Sequence, residues 1–522
     1  MNRIIVSLAL LLFLPLLGLI APFFLGGVTN SDLTIAIDTL SHLWNYVLST
    51  YIATTFILIV GVGIGVFILG VGNAWIIASY DFPGKKVFES VLILPLAVPT
   101  YVMAYLFVDL LQFSGPIQSL LRGLFGFNTL WFFPDPRSLG GAIWVFSFCL
   151  YPYVYLMTRV AFLERSRRLI EVSETLGYSP IQGFIQLVLP MARPSIYAGM
   201  ALALMEVLSD FGAVSYFGVQ TFATGIFKAW LSFGDRLAAV QLALGLLSFV
   251  LLIFYIERRS RSKLRFASSL QTKPIAKKLH GGMSIFAFSF CCLTLLFGFL
   301  IPSFALLHLL YQQGFNVDAR YLVWLSNSLS VSTITALISV ALAVFFAYSV
   351  RLNSSLAWVN HLLGFGYALP GAVLAIGILS FLEIFQLAWW ISTSLIILVY
   401  AYLVRFLSSS LQSVETGLIR ITPSMDGSAA LLGSSNIQIL RRVHVPLLKR
   451  SLITAGLFVF VDAMKELPAT LLLRPFNFDT LAVAAYQLAA DERLAELALP
   501  SLTIVLVGLF PVFILSRMIS KA

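Results

Sequence analysis

Charged residues are scarce in this chain. Asp, Glu, Lys and Arg make up 11% of its 522 residues, against about 25% in a soluble globular protein. So few charges cannot cover the surfaces of the several soluble domains that this length would otherwise suggest. Hydrophobic residues make up 59% and aromatic residues 14%, which also excludes a disordered chain. The composition, with a mean hydropathy of +0.95, predicts a polytopic membrane protein.

Cysteine and histidine are also rare, with three and five residues. Cys291 and Cys292 are adjacent and therefore poor disulfide partners, and Cys149 lies in another apolar run, so no disulfide framework is expected. The histidines show no metal-ligand spacing, and no stable metal site is predicted. The sequence contains no Gly-x-x-x-x-Gly-Lys-Ser/Thr motif and no evident nucleophile–base arrangement. We therefore expect no catalysis and no cofactor bound by this chain.

Long apolar runs fill most of the sequence. A bilayer core of about 30 Å needs about 20 apolar residues per helix, and continuous rather than alternating runs favour helices over a barrel. The first run is too long for the apolar core of a signal peptide and has no clear cleavage site, so it is interpreted as a helix. The sequence predicts an all-α polytopic membrane protein with about twelve transmembrane helices. The predicted spans are 4–24, 52–79, 87–113, 140–161, 194–217, 237–257, 283–311, 324–350, 361–387, 391–411, 450–473 and 495–516.

The positions of Lys and Arg predict the orientation. The net charge of +10 would suggest a nucleic-acid partner for a soluble protein, but in a membrane protein basic residues mark cytoplasmic loops. The links after the fourth, sixth and tenth predicted spans are rich in Lys and Arg, whereas 25–50 and 382–391 contain none. Both termini are therefore expected in the cytoplasm of a bacterium, with the chain in the inner membrane among lipid and with no nucleic-acid partner.

The chain contains an internal repeat. From Gly177 to Gly433 is 256 residues, and Pro190 and Pro446 are separated by the same 256. This register continues downstream through four pairs of polar residues, which chance does not readily produce. The pairs are Glu206 with Asp462, Asp210 with Glu466, Thr224 with Thr480, and Asp235 with Asp491.

The repeat predicts two fused halves. The first is placed at 1–262, a basic cytoplasmic linker at 263–282, and the second half at 283–522. Each half has six helices and the same orientation, because six crossings return the chain to its starting side. The repeat is parallel, so a pseudo-two-fold axis along the membrane normal and a path between the halves are expected. The repeated loops lie at 165–193 and 414–449.

The repeated loop resembles the EAA loop of permease subunits in binding-protein-dependent ABC importers. That loop begins with Glu-Ala-Ala, continues to a glycine and often ends at Leu-Pro. The second copy departs from the pattern, since Gly427-Ser428-Ala429 stands where Glu-Ala-Ala is expected. The matching residues are Glu171, Gly177 and Pro190 in the first copy and Gly433 and Pro446 in the second, where Asp426 stands one residue before the position of the glutamate.

This resemblance implies a type I ABC importer permease fold. In that family the loop forms a knob that docks in a groove of the ATPase subunit and transmits its motion. It implies a homodimeric ABC ATPase on the cytoplasmic side, which binds the ATP and Mg²⁺ that this chain does not. A glycine turn between two short helices would make such a knob compact. Pro190 and Pro446 suit the first turn of the following helix.

The segments after the two loops look like the fused, double-length permeases of bacterial ferric iron importers. The first contains Asp210-Phe-Gly212, and the second contains Lys465-Glu-Leu-Pro-Ala-Thr470. The resemblance covers essentially the whole chain and implies ferric iron as cargo, a periplasmic ferric-iron-binding protein and alternating access. Loops 218–236 and 474–494 carry charges of both signs, which would orient that partner.

Four carboxylates lie inside the fifth and eleventh predicted spans, where each charge costs about 2.5–3.5 kcal/mol. Glu206 and Asp210 are four residues apart and share one helix face, as do Asp462 and Glu466. Oxygen donors suit a hard cation such as Fe³⁺. These four acids are therefore candidates for the translocation path, with transient contacts only, because transport requires release.

A structural role is the alternative interpretation of these acids. Lys465 lies beside Glu466 and could pair with an acid, which lowers the cost of insertion. Pro468 breaks the helix soon after and frees carbonyl groups that polar side chains must satisfy. The four acids would then stabilise helix packing or a gate rather than contact the cargo.

The sequence is compatible with two other functions. An importer of the same architecture for thiamine, a polyamine or a phosphonate is the nearest alternative, although a carboxylate-lined path disfavours an anion. An ion-coupled secondary transporter would also have twelve spans in two halves. It would need no ATPase and no docking loop, so the duplicated loop argues against it.

Overall fold

A computed structural model describes residues 2–24, 30–126, 133–175, 177–261, 277–314, 317–386 and 394–521. The described residues are almost entirely helical, which confirms the all-α prediction. The helices before residue 262 are α1 (Asn2–Phe24), α2 (Asn30–Leu43), α3 (Ser49–Ser79), α4 (Lys85–Val91), α5 (Thr100–Leu111), α6 (Pro116–Phe125), α7 (Leu139–Thr175), α8 (Pro180–Gly183), α9 (Leu189–Ser209), α10 (Gly212–Tyr216), α11 (Phe222–Phe227) and α12 (Arg236–Arg261). Those after residue 276 are α13 (Gly282–Leu295), α14 (Ile301–Gln313), α15 (Ala319–Leu352), α16 (Ala357–Leu363), α17 (Gly371–Ile384), α18 (Leu395–Ile419), α19 (Pro423–Leu431), α20 (Asn436–Ile439), α21 (Val445–Lys465), α22 (Pro468–Leu473), α23 (Leu481–Ala490) and α24 (Leu494–Lys521).

One short strand pair accompanies the helices in the described part of the chain. Strand β1 (Tyr80–Asp81) pairs in parallel with β2 (Lys277–Lys278), and Tyr80 lies opposite Lys277. The pair joins the end of α3 to the segment before α13.

Eleven of the twelve predicted spans correspond to candidate membrane spans in the structure. Nine described helices are long and apolar enough to cross a membrane, and two bent helix pairs raise the number to eleven. The remaining prediction, 450–473, falls on α21, which is helical. It carries Lys449, Arg450, Asp462 and Lys465, and this number of charged residues separates it from the helices that qualify as candidate spans.

Two spans predicted as single helices are sharply bent. Lys85–Ala97 meets Thr100–Phe125 at 94°, and Ser354–Ala368 meets Gly371–Ile384 at 110°. The residue before each bend proline is extended, with ψ of 121° at Val98 and 119° at Leu369. Proline disfavours helical geometry in the residue before it and lacks an N–H group, so the helix stops there.

The predicted spans 194–217 and 450–473 are also broken. Helix α9 ends at Ser209 and α10 begins at Gly212, while α21 ends at Lys465 and α22 begins at Pro468. The second break was expected from Pro468, and the first lies at the same place in the repeat. Helices α9 and α21 begin 256 residues apart, at 189 and 445, so the sequence repeat recurs in the helix bounds.

The helices group into two compact units, each built from both halves of the sequence. Unit 1 comprises Met1–Leu43, Ile226–Leu247 and Val317–Ala484. In it α1 packs on α17, and α15, α18 and α21 pack on one another. A Cβ on Gly18 would lie 1.9 Å from the carbonyl oxygen of Gly377, so this pair of small residues permits the close approach of α1 and α17.

Unit 2 comprises Trp44–Gly225, Ser248–Asn316 and Ala485–Ala522. Helices α3, α7 and α9 form its centre, and α14 packs on α24. The compact units thus do not follow the order of the chain. That the chain arose from two duplicated halves, at 1–262 and 283–522, stays a prediction.

Candidate functional site

The two repeated loops share one glycine turn. Gly177 and Gly433 have φ angles of 74° and 81°, in the left-handed region that glycine enters without a Cβ penalty. Among the described residues, no heavy atom outside the local chain lies within 4 Å of a Cβ built on either glycine. Backbone conformation, rather than crowding, therefore requires glycine at both positions.

A reciprocal pair of capping hydrogen bonds follows each turn. Ser435 Oγ accepts from the backbone N–H of Gln438 at 3.4 Å, and Gln438 Oε1 accepts from the N–H of Ser435 at 2.9 Å. Ser179 and Gln182 form the same two bonds at 3.3 and 3.0 Å. This arrangement satisfies two N–H groups at the start of a helix, so both copies fix the direction in which the chain leaves the turn.

Pro190 and Pro446 lie in the first turn of α9 and α21, as expected. The helical path begins earlier than predicted, however, at α8 and α20, and reaches each proline through a π-helical turn. These turns are Phe184–Val188 and Leu440–His444. Proline removes one N–H group and crowds the carbonyl group four residues before it. The wider π turn accommodates both effects without ending the helix.

Asp426 is bound within the second loop. Its Oδ2 lies 2.7 Å from Arg351 Nε and its Oδ1 lies 2.7 Å from His444 Nε2. Arg351 also donates to the carbonyl groups of Leu418 and Ile421, at 3.0 and 2.8 Å. Burial raises the pKa of the Asp426 carboxyl, but the hydrogen bonds from Arg351 and His444 outweigh it and hold the pKa below its usual value. Asp426 thus ties α19 to α15 and to the start of α21.

The first loop is built differently around Glu171. This residue lies in α7, which continues without a break to Thr175, and its side chain lies outside the described part of the chain. In the second copy the corresponding helix ends at Ile419 and α19 follows as a separate short helix. The second copy therefore matches the predicted knob of two short helices more closely than the first.

Large apolar side chains are exposed on the second loop. Leu431 is 91% exposed and Leu432 is 87% exposed, and Met425 and Ile437 of the same loop are also exposed. We call these four residues the apolar tip. A cluster of exposed apolar side chains on a polar loop is typical of an interaction surface. In the first loop Tyr178 and Ile185 are exposed.

A matched pair of glycine substitutions separates backbone strain from side-chain effects in this loop. Gly433→Ala should destabilise the turn by about 1 kcal/mol because alanine is disfavoured at positive φ. Gly427→Ala should stabilise α19 by a similar amount, since Gly427 is helical and has open space around it. Hydrogen exchange of residues 423–439 should be faster in the first variant and slower in the second. Equal exchange rates in the two variants would contradict this account of the turn.

In unit 2, Asp210 lies at the break between α9 and α10. Its Oδ2 accepts a hydrogen bond from the hydroxyl of Thr100, and its Oδ1 accepts from the N–H of Ala213 at 2.7 Å. The carboxylate therefore satisfies a backbone group that the break leaves exposed and links it to the start of α5.

In unit 1, Glu466 occupies the equivalent break between α21 and α22. Its Oε1 lies 2.9 Å from Arg405 Nη1 and 3.0 Å from the N–H of Ala469. Its Oε2 accepts from the N–H and the hydroxyl of Thr470 at 3.0 and 2.7 Å. Tyr402 forms a further hydrogen bond with Thr470 at 2.5 Å. Glu466 is thus a helix cap and one half of a buried ion pair.

The other two predicted carboxylates lie one helical turn earlier. Glu206 of α9 is half-buried, and Asp462 of α21 lies 3.9 Å from Lys465 Nζ, with both side chains partly exposed. Lys465 therefore pairs with Asp462, while Arg405 pairs with Glu466. The structure brings the two acids of each helix to the same break, and their contact with a cargo stays a prediction.

Thr100 and Arg405 are absent from the predicted site residues, although they bind Asp210 and Glu466. Arg405 offers a usable signal, because a charged residue inside a predicted span generally faces a partner. Thr100 offers none beyond its position after Pro99. Among the described residues, no three His, Cys, Asp or Glu side chains converge in a way that could hold a metal ion.

Apolar helices in two units, helix breaks capped by carboxylates and a duplicated loop are features of a helical membrane transport protein. Residues 69–266 match the family model of the binding-protein-dependent transport system inner membrane component. This segment is therefore similar to inner membrane components of transport systems.

Several characterised permeases are similar to this chain. An Fe(3+)-transport system permease protein of Haemophilus influenzae is 27% identical over 476 residues, which cover 89% of each chain. A sulfate transport system permease protein of Escherichia coli is 32% identical over 29% of this chain and 52% of its own. A molybdenum transport system permease protein of Escherichia coli is 30% identical over 28% of this chain and 62% of its own.

Proposed function

We propose that this chain is the transmembrane permease subunit of an ATP-driven importer that moves ferric iron from a periplasmic binding protein into the cytoplasm by alternating access. The observation that supports the cargo most strongly is the similarity to the Fe(3+)-transport permease over 89% of both chains. The relatives named for sulfate and molybdenum match only 29% and 28% of this chain.

We assign the two repeated loops to two copies of an ABC ATPase subunit, which binds ATP and Mg²⁺. The apolar tip of the second loop would insert into a groove of one copy, and Tyr178 and Ile185 of the first loop would contact the other. Asp426, held by Arg351 and His444, makes the second loop rigid enough to transmit motion. Under this assignment the loops and both termini face the cytoplasm.

The binding protein would then dock on the opposite side, where loops 218–236 and 474–494 are predicted. Arg474 pairs with Asp479 in this region, and Arg493 pairs with Glu496. Partly exposed pairs of this kind contribute little affinity each. They would set the orientation of the partner, while the release of iron would depend on the opening of the permease.

The half-buried acids Glu206 and Asp462 are the candidates for cargo contact in this function. Glu206→Gln and Asp462→Asn should each reduce iron uptake about tenfold, because a neutral amide lowers the barrier for a cation less than a carboxylate does. Uptake into vesicles at equal permease content measures the effect. Asp81→Asn, an exposed acid in β1, serves as the control. Unchanged uptake in both variants would leave the acids with a structural role only.

A cargo panel tests the proposed function. Vesicles that contain this chain, the ATPase and the binding protein should hydrolyse ATP faster when the binding protein carries ferric iron. Sulfate, molybdate, thiamine and polyamines should have no such effect. Stimulation by one of these compounds instead of iron would assign the chain to another cargo, and transport without any ATPase would indicate a secondary transporter.

A further inference from the structure

One face of α5 in unit 2 carries a row of oxygen-bearing side chains. Tyr101, Tyr105 and Asp109 follow one another at four-residue spacing and therefore lie on one face of the helix. Tyr101 is 4% exposed and Tyr105 is 0% exposed, while Asp109 is half-buried. The ring of Tyr216 in α10 lies 4.6 Å from that of Tyr105. We call these four side chains the oxygen ladder.

The hydroxyl group of Tyr105 is the unusual member of the ladder. It is fully buried and has no hydrogen-bond partner among the described residues. It interacts electrostatically with Asp210, Tyr216 and Tyr486. Buried polar groups are nearly always paired, because an unpaired one loses the hydrogen bonds that water would provide. A phenylalanine would pack in the same space without this cost, so the oxygen atom needs another explanation.

The fold itself does not require the ladder. Helix α17 in unit 1 follows Pro370 as α5 follows Pro99, and the two helices begin 271 residues apart, at 371 and 100. At this offset Tyr101 corresponds to Ala372 and Tyr105 to Ile376, and both of these apolar residues are buried. One copy of the repeat thus forms the same bent helix pair without the two buried phenol groups.

The ladder extends toward a charged part of the same unit. The guanidinium group of Arg137 lies over the ring of Tyr216, 5.3 Å from its centroid, and 3.7 Å from Glu492 Oε1. Asp109 accepts a hydrogen bond from Gln112 at 3.3 Å. Carboxylates therefore lie at the accessible end of the row, and the two buried phenols follow further along α5.

We propose that the oxygen ladder is a transient binding site for a hard trivalent cation, which Tyr101, Tyr105 and Tyr216 would ligate as phenolates and Asp109 as a carboxylate. This inference rests on the proposed function, in which the cation is Fe³⁺. Hard cations favour oxygen ligands, and each phenol that binds the metal releases its proton to water. Because Tyr105 is fully buried, the ion reaches it only when unit 2 opens.

Tyr105→Phe tests the proposal with little risk to the fold, since the substitution keeps the ring and breaks no described hydrogen bond. The purified full-length chain in detergent is titrated with ferric nitrilotriacetate, and the visible phenolate-to-iron charge-transfer band is recorded. Wild-type protein should show the band and Tyr105→Phe should weaken it. ATP-driven iron uptake by the complete transporter should fall about tenfold in the variant, with an unchanged melting temperature.

Tyr151→Phe is the matched control. Tyr151 is also a fully buried tyrosine of unit 2, but its hydroxyl donates to the carbonyl of Leu92 at 2.7 Å. This variant should lose stability and keep the band. If the wild-type transporter takes up iron and Tyr105→Phe shows the same uptake and the same band, the oxygen ladder is not a cation site. The proposed function would then still stand. Absence of iron uptake by the wild-type transporter would instead refute the proposed function.

Discussion

Replacing Arg405 with methionine should lower the free energy of unfolding by about 3–5 kcal/mol. Arg405 and Glu466 are both buried, and their side chains are 2.9 Å apart. Removal of the guanidinium group leaves the Glu466 carboxylate buried without its counter-charge. The hydrogen bonds from Ala469 and Thr470 remain, but they do not neutralise the charge. Thermal unfolding of the purified chain in detergent, followed by tryptophan fluorescence, measures the loss.

Two further variants test whether the loss of stability comes from the unpaired buried charge of Glu466. Arg420→Met, at an exposed position just after α18, should melt like the wild type. The double variant Arg405→Met with Glu466→Gln should regain part of the lost stability, because no uncompensated buried charge remains. If Arg405→Met unfolded at the same temperature as the wild type, the ion pair would not stabilise the break between α21 and α22.

Substitution of Leu431 and Leu432 by aspartate should reduce ATP-driven uptake about thirtyfold, the effect of losing about 2 kcal/mol at the centre of an interface. Both side chains are almost fully exposed in this chain, so the substitution costs the permease no buried contacts. It places two charges where the ATPase groove would be apolar. The amount of ATPase that copurifies with the permease should fall in parallel.

Ser424→Asp provides the control for this loop. Ser424 is exposed on the same short helix, α19, so the variant adds a negative charge without removing an apolar side chain. It should retain uptake and ATPase binding. Full uptake by the double aspartate variant, with the ATPase still bound, would remove the apolar tip from the coupling surface.

The repeat and its loops could be predicted from the sequence because they depend on local features. A glycine in a turn, a proline in the first turn of a helix and a long run with few charges can each be recognised from a short stretch of sequence. The break at Pro468 was predictable for the same reason. The break at Asp210 was not, since no proline marks it and the capping group comes from its own side chain.

Long-range pairing explains what the sequence could not reveal. Thr100 contacts Asp210 across 110 residues, and Arg405 contacts Glu466 across 61 residues. Spacing along one helix cannot identify such partners. The bends at Pro99 and Pro370 were missed because apolar content continues through them, and hydropathy does not depend on backbone direction. Helix α1 comes first in the sequence but packs in unit 1 with helices of the second half. Only tertiary packing reveals this.

Uptake of radioactive iron tests the central claim most directly. Vesicles are prepared with this chain, its ATPase partner and the binding protein loaded with ferric iron. The account predicts iron accumulation that requires ATP, stops when ADP replaces ATP, and falls in the Leu431→Asp, Leu432→Asp variant. Iron accumulation that is independent of ATP, or ATP-driven accumulation of a different cargo with no iron uptake, would contradict it.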